Sequence, residues 1–504
     1  MATLLILSIS TMATSGAGRF STWLMCGFPS GSGYYFSQLA EQRADMINEQ
    51  QTSVPQVPTH WLFGCVPEFR KDALDALMNY ATYGDVVKVR YGLLVDLIKR
   101  QRGTAAYLLS HPEDIKHVLA TNDRNYRRIE FPPAAKRVFG QGLITSEDPL
   151  HRKQRRMTQP YFHRQRIVSY AEIMVQKTQQ HIQGWRDGAT VNVAQEMMQL
   201  TLSVACKAFF NMDLTDKTNE LTRAVTVGQH HIIRQFRSFI AMLTPEFIPT
   251  KNNVRFRKAI RKLDDTIYGI IQTRRASGER PNDVLSMLLD ARDEEGHPMS
   301  DQQVRDETLT LFLAGHDTTA NALSWTWYLL SRHPEVESRL LGELKEVLSG
   351  RLPTVADVPK LVYTEMVFAE ALRLYPPGYL LSRTALGNDL LPGGITIPQG
   401  ADVWLCPYLV HRDPRVWPEP ERFDPERFNP EAKEGRHLYA YFPFGGGSRM
   451  CIGESFAKME GVLLIATIAQ RFKMTLLSGQ TVVPEPLVTL RPKHGVQVQL
   501  CKRS

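Results

Sequence analysis

The sequence predicts a mainly α-helical protein with small β-sheets, an α+β class folded as one large body. Helical periodicity dominates the chain from 112 to about 471. The β-prone pieces are short and few, near 86–91, 105–109 and 385–403. No internal repeat or low-complexity linker divides the 504 residues, and a composition of 43% hydrophobic and 22% charged residues suffices to bury a large core.

At the amino terminus, the apolar stretch 4–9 is much shorter than the roughly 20 residues needed to cross a bilayer. It also lacks the positive start of a secretory signal. Residues 1–45 are therefore set apart as a leader without an assigned role, 46–504 are taken as the folded domain, and no transmembrane anchor is expected. After the Pro-bearing stretch 55–58, the pattern predicts a helix over 67–82 and strands at 86–91 and 105–109. Helices are predicted near 112–120, 147–158, 164–186, 193–209, 216–239, 251–275, 282–292, 301–332, 334–348 and 360–374. Gly393, Gly394, Pro398 and Gly400 punctuate hairpin-like pieces, and the Pro, charged and aromatic residues of 413–444 predict an ordered, irregular meander. A last helix over 452–470 carries Ile452, Phe456, Met459 and Leu463 on one stripe.

The six cysteines are scattered, with no Cys-x-x-Cys pair, which points to a reducing, cytoplasmic setting rather than to zinc or a disulfide framework. The net charge of +8 gathers partly in runs such as Arg152, Lys153, Arg155 and Arg156. These runs read as solvated helix faces, some of them suited to an acidic protein partner, and no nucleic-acid partner is expected. His230, His231 and His316 have no acids or cysteines at ligand spacing and read as ordinary polar residues.

The most informative stretch is Phe444-Gly445-Gly446-Gly447-Ser448-Arg449-Met450-Cys451-Ile452-Gly453. Consecutive glycines allow positive φ and let backbone N–H groups approach a buried anion. Cys451 stands where the last helix begins, so the positive end of that helix is expected to favour its thiolate. A second informative stretch, Leu311-Phe312-Leu313-Ala314-Gly315-His316-Asp317-Thr318-Thr319, lies midway along the helix predicted from the Ser300/Gln303 capping box to His333-Pro334. That helix has about 32 residues and spans about 48 Å. Gly315 and the Thr hydroxyls predict a local opening of its hydrogen-bond ladder. Ala314 and Thr318 share one face, and Asp317 lies at another angle, toward outer water.

The cysteine stretch resembles the heme-binding signature of the cytochrome P450 family, whose fixed positions fall on Phe444, Gly447, Arg449, Cys451 and Gly453. The helix stretch resembles the same family's oxygen-binding motif. The resemblance runs from about residue 55 to the C-terminus and implies the P450 fold, heme b (iron protoporphyrin IX) as cofactor and Cys451 as the iron's thiolate ligand. It implies that Thr318 and Asp317 are catalytic, with Thr318 supporting oxygen activation and Asp317 relaying protons. Arg449, His151, Arg155 and Arg383 are implied as propionate anchors, although many members have Trp where this chain has His151. Phe444, Ala314 and Gly447 are counted with the cofactor-binding residues. Glu370, Arg373 and Arg427 are implied as a structural ion-pair network that holds the meander.

The implied reaction inserts one oxygen atom of O2 into a lipophilic small molecule. No flavin or iron–sulfur segment is visible in the sequence, so electrons are expected from a separate ferredoxin, flavodoxin or reductase, and the protein is expected to be a monomer. Pocket residues are expected from 127–145, 205–245 and 377–382, including Phe236, Phe239, Ile240, Tyr379 and Leu380. Other readings of the same cysteine loop are a peroxygenase, an isomerase or dehydratase acting on an oxidised lipid, and a non-enzymatic heme-binding protein. The Asp317–Thr318 pair argues against each of them.

Overall fold

In the computed structural model, the described residues are 54–99, 103–162, 164–213, 216–237 and 247–503. The predicted leader lies outside them, as do Phe239 and Ile240. The helices that build the site are α1 (Val66–Ala81), α2 (Pro133–Phe139), α3 (Leu150–Thr158), α4 (Arg164–Ile182), α5 (Val193–Phe210), α6 (Asp216–Arg237), α7 (Lys251–Ser277), α8 (Asp301–Arg332), α9 (Val362–Leu374) and α10 (Glu454–Ala469). The strands are β1 (Val86–Arg90), β2 (Ala105–Leu109), β3 (Tyr126–Arg128), β4 (Thr190–Asn192), β5 (Leu381–Ala385), β6 (Asp389–Leu390), β7 (Thr396–Ile397), β8 (Asp402–Leu405), β9 (Phe472–Leu476), β10 (Pro484–Pro486), β11 (Leu490–Pro492) and β12 (Gln497–Lys502).

Helix boundaries follow local chemistry. The Ser300 hydroxyl accepts from Gln303 N at 3.2 Å and starts α8, which stops at His333, before Pro334. The second half of the predicted capping box is missing, because the Gln303 side-chain oxygen does not accept from the Ser300 N–H. In α7, Thr250 Oγ1 accepts from Asn253 N at 3.1 Å, and Gly278 closes the helix at φ +67°. The single apolar stripe predicted for α10 is too narrow. Every residue from Met459 to Ala469 is buried, because this helix runs through the core against α4, α8 and α9 rather than along its surface.

The five-stranded sheet has the order β1-β2-β8-β5-β3. β2 pairs with β8 in parallel, Ala106 opposite Asp402, and the other pairings are antiparallel. At the β5–β3 edge, Arg383 lies directly opposite Arg128. The C-terminal strands, which were not predicted, form the β4-β12-β9 sheet and the β10–β11 hairpin. Among the described residues, no helix is long and apolar enough to cross a membrane.

The basic run on α3 is not a bare patch. Arg152 pairs with Asp148 at 2.8 Å, Lys153 with Asp293 at 2.6 Å, and Arg156 with Glu294.

The structural trio forms as predicted. Arg373, fully buried, donates Nε to Glu370 Oε2 at 2.7 Å and Nη2 to Oε1 at 2.8 Å, and its Nη1 reaches the His411 carbonyl at 2.7 Å. Arg427 Nε lies 3.5 Å from Glu370 Oε1, and Asp424 N donates to the same oxygen at 3.0 Å. A helix carboxylate therefore holds the start of the short Pro425–Phe428 turn in the meander. Arg373→Ala strands Glu370 in the core, and its unfolding free energy is expected to fall by about 3–5 kcal/mol. Urea unfolding checks this, and a loss below about 1 kcal/mol, the scale of an exposed pair, contradicts it.

Candidate active site

The cysteine loop is closed by its own backbone. Gly445 N donates to Phe442 O at 2.9 Å, Met450 N to Gly447 O at 3.1 Å and Cys451 N to Phe444 O at 2.9 Å. Gly447 has φ +64°, and a Cβ there would lie 1.6 Å from the Leu119 carbonyl oxygen. Only glycine fits, on grounds of both conformation and space. The turn presents the Cys451 side chain to an internal cavity of about 460 Å³.

Helix α10 begins at Glu454, with Gly453 as its N-cap. Burial pushes the Cys451 thiol up, while the Gly453 N–H and the charges of Arg155 and Arg128 pull it down. The N–H at the helix end favours the thiolate as the sequence suggests, burial opposes it, and coordination to a metal is what deprotonates such a thiol outright.

One wall of the cavity is α8. Thr310, Ala314, Gly315, Thr318 and Thr319 all line it, and Asp317 does not. The helix is continuous through this stretch rather than opened. The Thr318 hydroxyl donates to Ala314 O at 2.7 Å and that of Thr319 to Gly315 O at 3.1 Å, adding donors to carbonyls the helix already uses. Gly315 serves close packing, since a Cβ there would stand 3.1 Å from the Phe209 ring of α5. Nearer its start, α8 holds the segment that carries the cavity-lining Leu143. Asp306 Oδ2 accepts from Gln141 N at 2.9 Å, and Glu307 Oε2 accepts from Leu143 N at 3.1 Å. Burial pushes Glu307 up to about 8.

Five basic side chains, Arg128, His151, Arg155, Arg383 and Arg449, line the same cavity. Burial first, then Arg383 and Arg449, pulls Arg128 down to about 9, and burial with Arg449 pulls Arg383 down to about 10. Burial, Arg449 and Arg128 lower His151 to about 4, so it is a neutral donor at pH 7. Arg449 is partly engaged already, donating to Ser146 O at 2.6 Å and to Glu147 Oε2 at 2.8 Å. Arg155 donates to Met450 O at 2.7 Å and Arg128 to Ile144 O at 2.7 Å. Cations this close in a desolvated place repel one another unless an anion lies among them.

The family model for cytochrome P450 matches residues 55–500. The chain belongs to the cytochrome P450 family. This P450 is 40% identical to cyclooctatin synthase of Streptomyces melanosporofaciens, over 83% of its own length and 89% of that protein. It is 35% identical to the same organism's cyclooctat-9-en-7-ol 5-monooxygenase over 81% and 86%, and 32% identical to pentalenene oxygenase of Streptomyces avermitilis over 90% and 96%. The crystal structure of the cytochrome P450DA heme domain matches with a TM-score of 0.80 at 26% identity, covering 90% of this chain and 98% of that one. The enzyme is a P450 monooxygenase and its cofactor is heme b.

The residues present fit that group. A sulfur on a glycine loop with no room for a Cβ faces a cavity rimmed by more cations than acids, which suits an iron porphyrin bearing two carboxylates. The cavity gathers the predicted Cys451, Phe444, Arg449, His151, Arg155, Arg383, Ala314 and Thr318. Gly447 stands behind the loop against Leu119, and Asp317 faces the C-terminal hairpin. Of the predicted pocket residues, Leu380 lines the cavity, whereas the Tyr379 hydroxyl donates to Leu487 O at 3.1 Å and its ring is no part of the lining.

Sequence reading missed Arg128, which had been counted only within a substrate segment, and the apolar side chains Phe368 and Leu372 of α9 and Phe456 of α10. The one local cue for Arg128 was an arginine pair in a short β-prone triplet. A wider cleft of about 830 Å³ along the meander contains none of the predicted site residues. Replacing Arg128 by Leu is expected to weaken heme retention by roughly 1.5–3 kcal/mol, the scale of a charged hydrogen bond. Heme transfer to apomyoglobin measures this, and an unchanged transfer rate contradicts it.

Proposed function

We propose that this P450 hydroxylates a ring-bearing, terpenoid-type hydrocarbon or alcohol, using electrons from a separate ferredoxin, flavodoxin or reductase. The observation that carries the reading is the single cavity in which Cys451, Thr318 and apolar side chains such as Phe131, Leu143, Phe209 and Leu380 meet. Two relatives are named for cyclooctat-9-en-7-ol and pentalenene, names whose endings denote an unsaturated alcohol and an alkene. An apolar lining with few polar groups suits such molecules, which bind by shape and surface burial.

In this reading the Cys451 sulfur holds the heme iron, and Phe444 packs beside it to keep water away. Arg128, His151, Arg155, Arg383 and Arg449 hold the propionates, and Ala314 and Gly447 leave room for the ring and the loop. Bound heme supplies oxygen activation. Apolar walls orient the substrate, the Thr318 hydroxyl positions a proton in the cavity, and the Asp317 carboxylate exchanges protons with solvent. One oxygen atom enters the substrate and the other leaves as water. We also propose a cytoplasmic setting, supported by the free state of Cys65, Cys206, Cys406, Cys451 and Cys501, and a monomeric protein. Recovery in the membrane fraction, or elution as a dimer, counts against that.

Thr318→Ala is expected to divert NAD(P)H consumption into hydrogen peroxide, with product per NAD(P)H falling about 10-fold or more, within the span of a proton-transfer group. Fully coupled turnover by this variant excludes the proposed role. A spectral titration of the ferric protein against fatty acids, steroids, simple aromatics and ring terpenoids is expected to give its tightest response with the terpenoids. A preference for straight-chain acids removes the substrate proposal and leaves the monooxygenase standing.

A further inference from the structure

The carboxylate of Asp317 is turned away from the cavity toward the C-terminal hairpin. There the Thr489 hydroxyl donates to Asp317 Oδ2 at 2.7 Å. Thr489 is itself held by α8, since Asn321 Nδ2, one helical turn beyond Asp317, donates to Thr489 Oγ1 at 3.1 Å. A hydroxyl has one proton to give. With Asn321 occupying an acceptor position, that proton is directed at Asp317. Asp317 Oδ1 makes no hydrogen bond among the described residues, and the residue is partly exposed.

The turn that carries Thr489 is tied down on both sides. Trp325 Nε1 of α8 donates to Leu490 O at 3.1 Å. Leu490 N donates to Pro377 O at 3.0 Å, and the Tyr379 hydroxyl to Leu487 O at 3.1 Å, which links the turn to the segment carrying the cavity-lining Pro377 and Leu380.

We propose that Thr489 is the positioning residue for the acid of the acid–alcohol pair. The chain Asn321–Thr489–Asp317 fixes one carboxylate oxygen and so aims the other at the solvent side, from which protons arrive. No backbone contact within α8 does this, because a partly exposed Asp on a helix is otherwise free to turn among its rotamers. The hairpin supplies the missing constraint from the far end of the chain. This inference rests on the reading of Asp317 as the proton carrier.

The test uses the heme-loaded enzyme labelled with 13C-aspartate. The infrared carboxylate band of Asp317 is identified by its loss in Asp317→Asn, and Thr489→Val and Thr489→Ser are compared with it. Thermal unfolding and the reduced carbon monoxide spectrum establish that both variants fold and hold heme. Thr489→Val is expected to shift the Asp317 band and Thr489→Ser to restore it. With pentalenene as probe substrate and a ferredoxin with its reductase as donor, Thr489→Val is expected to raise peroxide released per NADPH roughly fivefold, the factor lost with one hydrogen bond. Thr489→Ser is expected to stay within about twofold of the parent, since the hydroxyl is kept.

An unshifted band in Thr489→Val overturns the proposal whatever the turnover shows. A Thr489→Ser variant that behaves like Thr489→Val also overturns it, because the hydroxyl would then be irrelevant. If Asp317→Asn remains as coupled as the parent, the relay reading falls, and the functional half of this inference falls with it.

Discussion

The site depends on one backbone passing against another with no side chain between them. Gly447 lies so close to the Leu119 carbonyl that any Cβ would overlap it, and the loop from Phe442 to Cys451 is shaped around that contact. The segment containing Leu119 runs on into β3, which delivers Arg128 to the cavity. The turn that aims the sulfur and the strand that brings a cation thus share an anchor. Rigid backbone, rather than side-chain adjustment, sets the distance between the two.

Burial rather than pairing decides the electrostatics. Cys451 is pushed toward the thiol, Arg128 to about 9, Arg383 to about 10 and His151 to about 4, each toward its neutral form. Arg128 and Arg383 face each other across adjacent strands, an arrangement that destabilises a sheet when nothing anionic intervenes. Such a rim is costly to build and becomes favourable when an iron–thiolate centre and two carboxylates occupy it.

Helix α8 divides its work along its length. Asp306 and Glu307 hold the backbone of the wall that carries Leu143, Ala314 and Thr318 line the cavity that Cys451 faces, and Asp317 and Asn321 engage Thr489. One rigid element sets the spacing between these three regions, and rigid elements position groups more tightly than loops do. The Glu370–Arg373 pair does for the meander what Asp306 and Glu307 do for the segment carrying Leu143.

Much of this was legible in the residues themselves. The limits of α8, the strand at 105–109, the glycine turn before Cys451, and the spacing of Glu370 from Arg373 all follow from caps, periodicity and turn chemistry within a few residues of each position. Phe444 and Arg449 were legible because the cysteine motif carries them together, whereas Arg155 and Arg383 rested on separate resemblances to the family's propionate positions. Tertiary structure alone decided that 105–109 pairs in parallel with Asp402–Leu405, that Arg128 faces Arg383, that Tyr379 turns to the hairpin, and that Asp317 meets Thr489. Each of those contacts joins segments far apart in the chain. Local propensity contains no term for a partner a hundred or more residues away, and that partner is fixed only when the core packs.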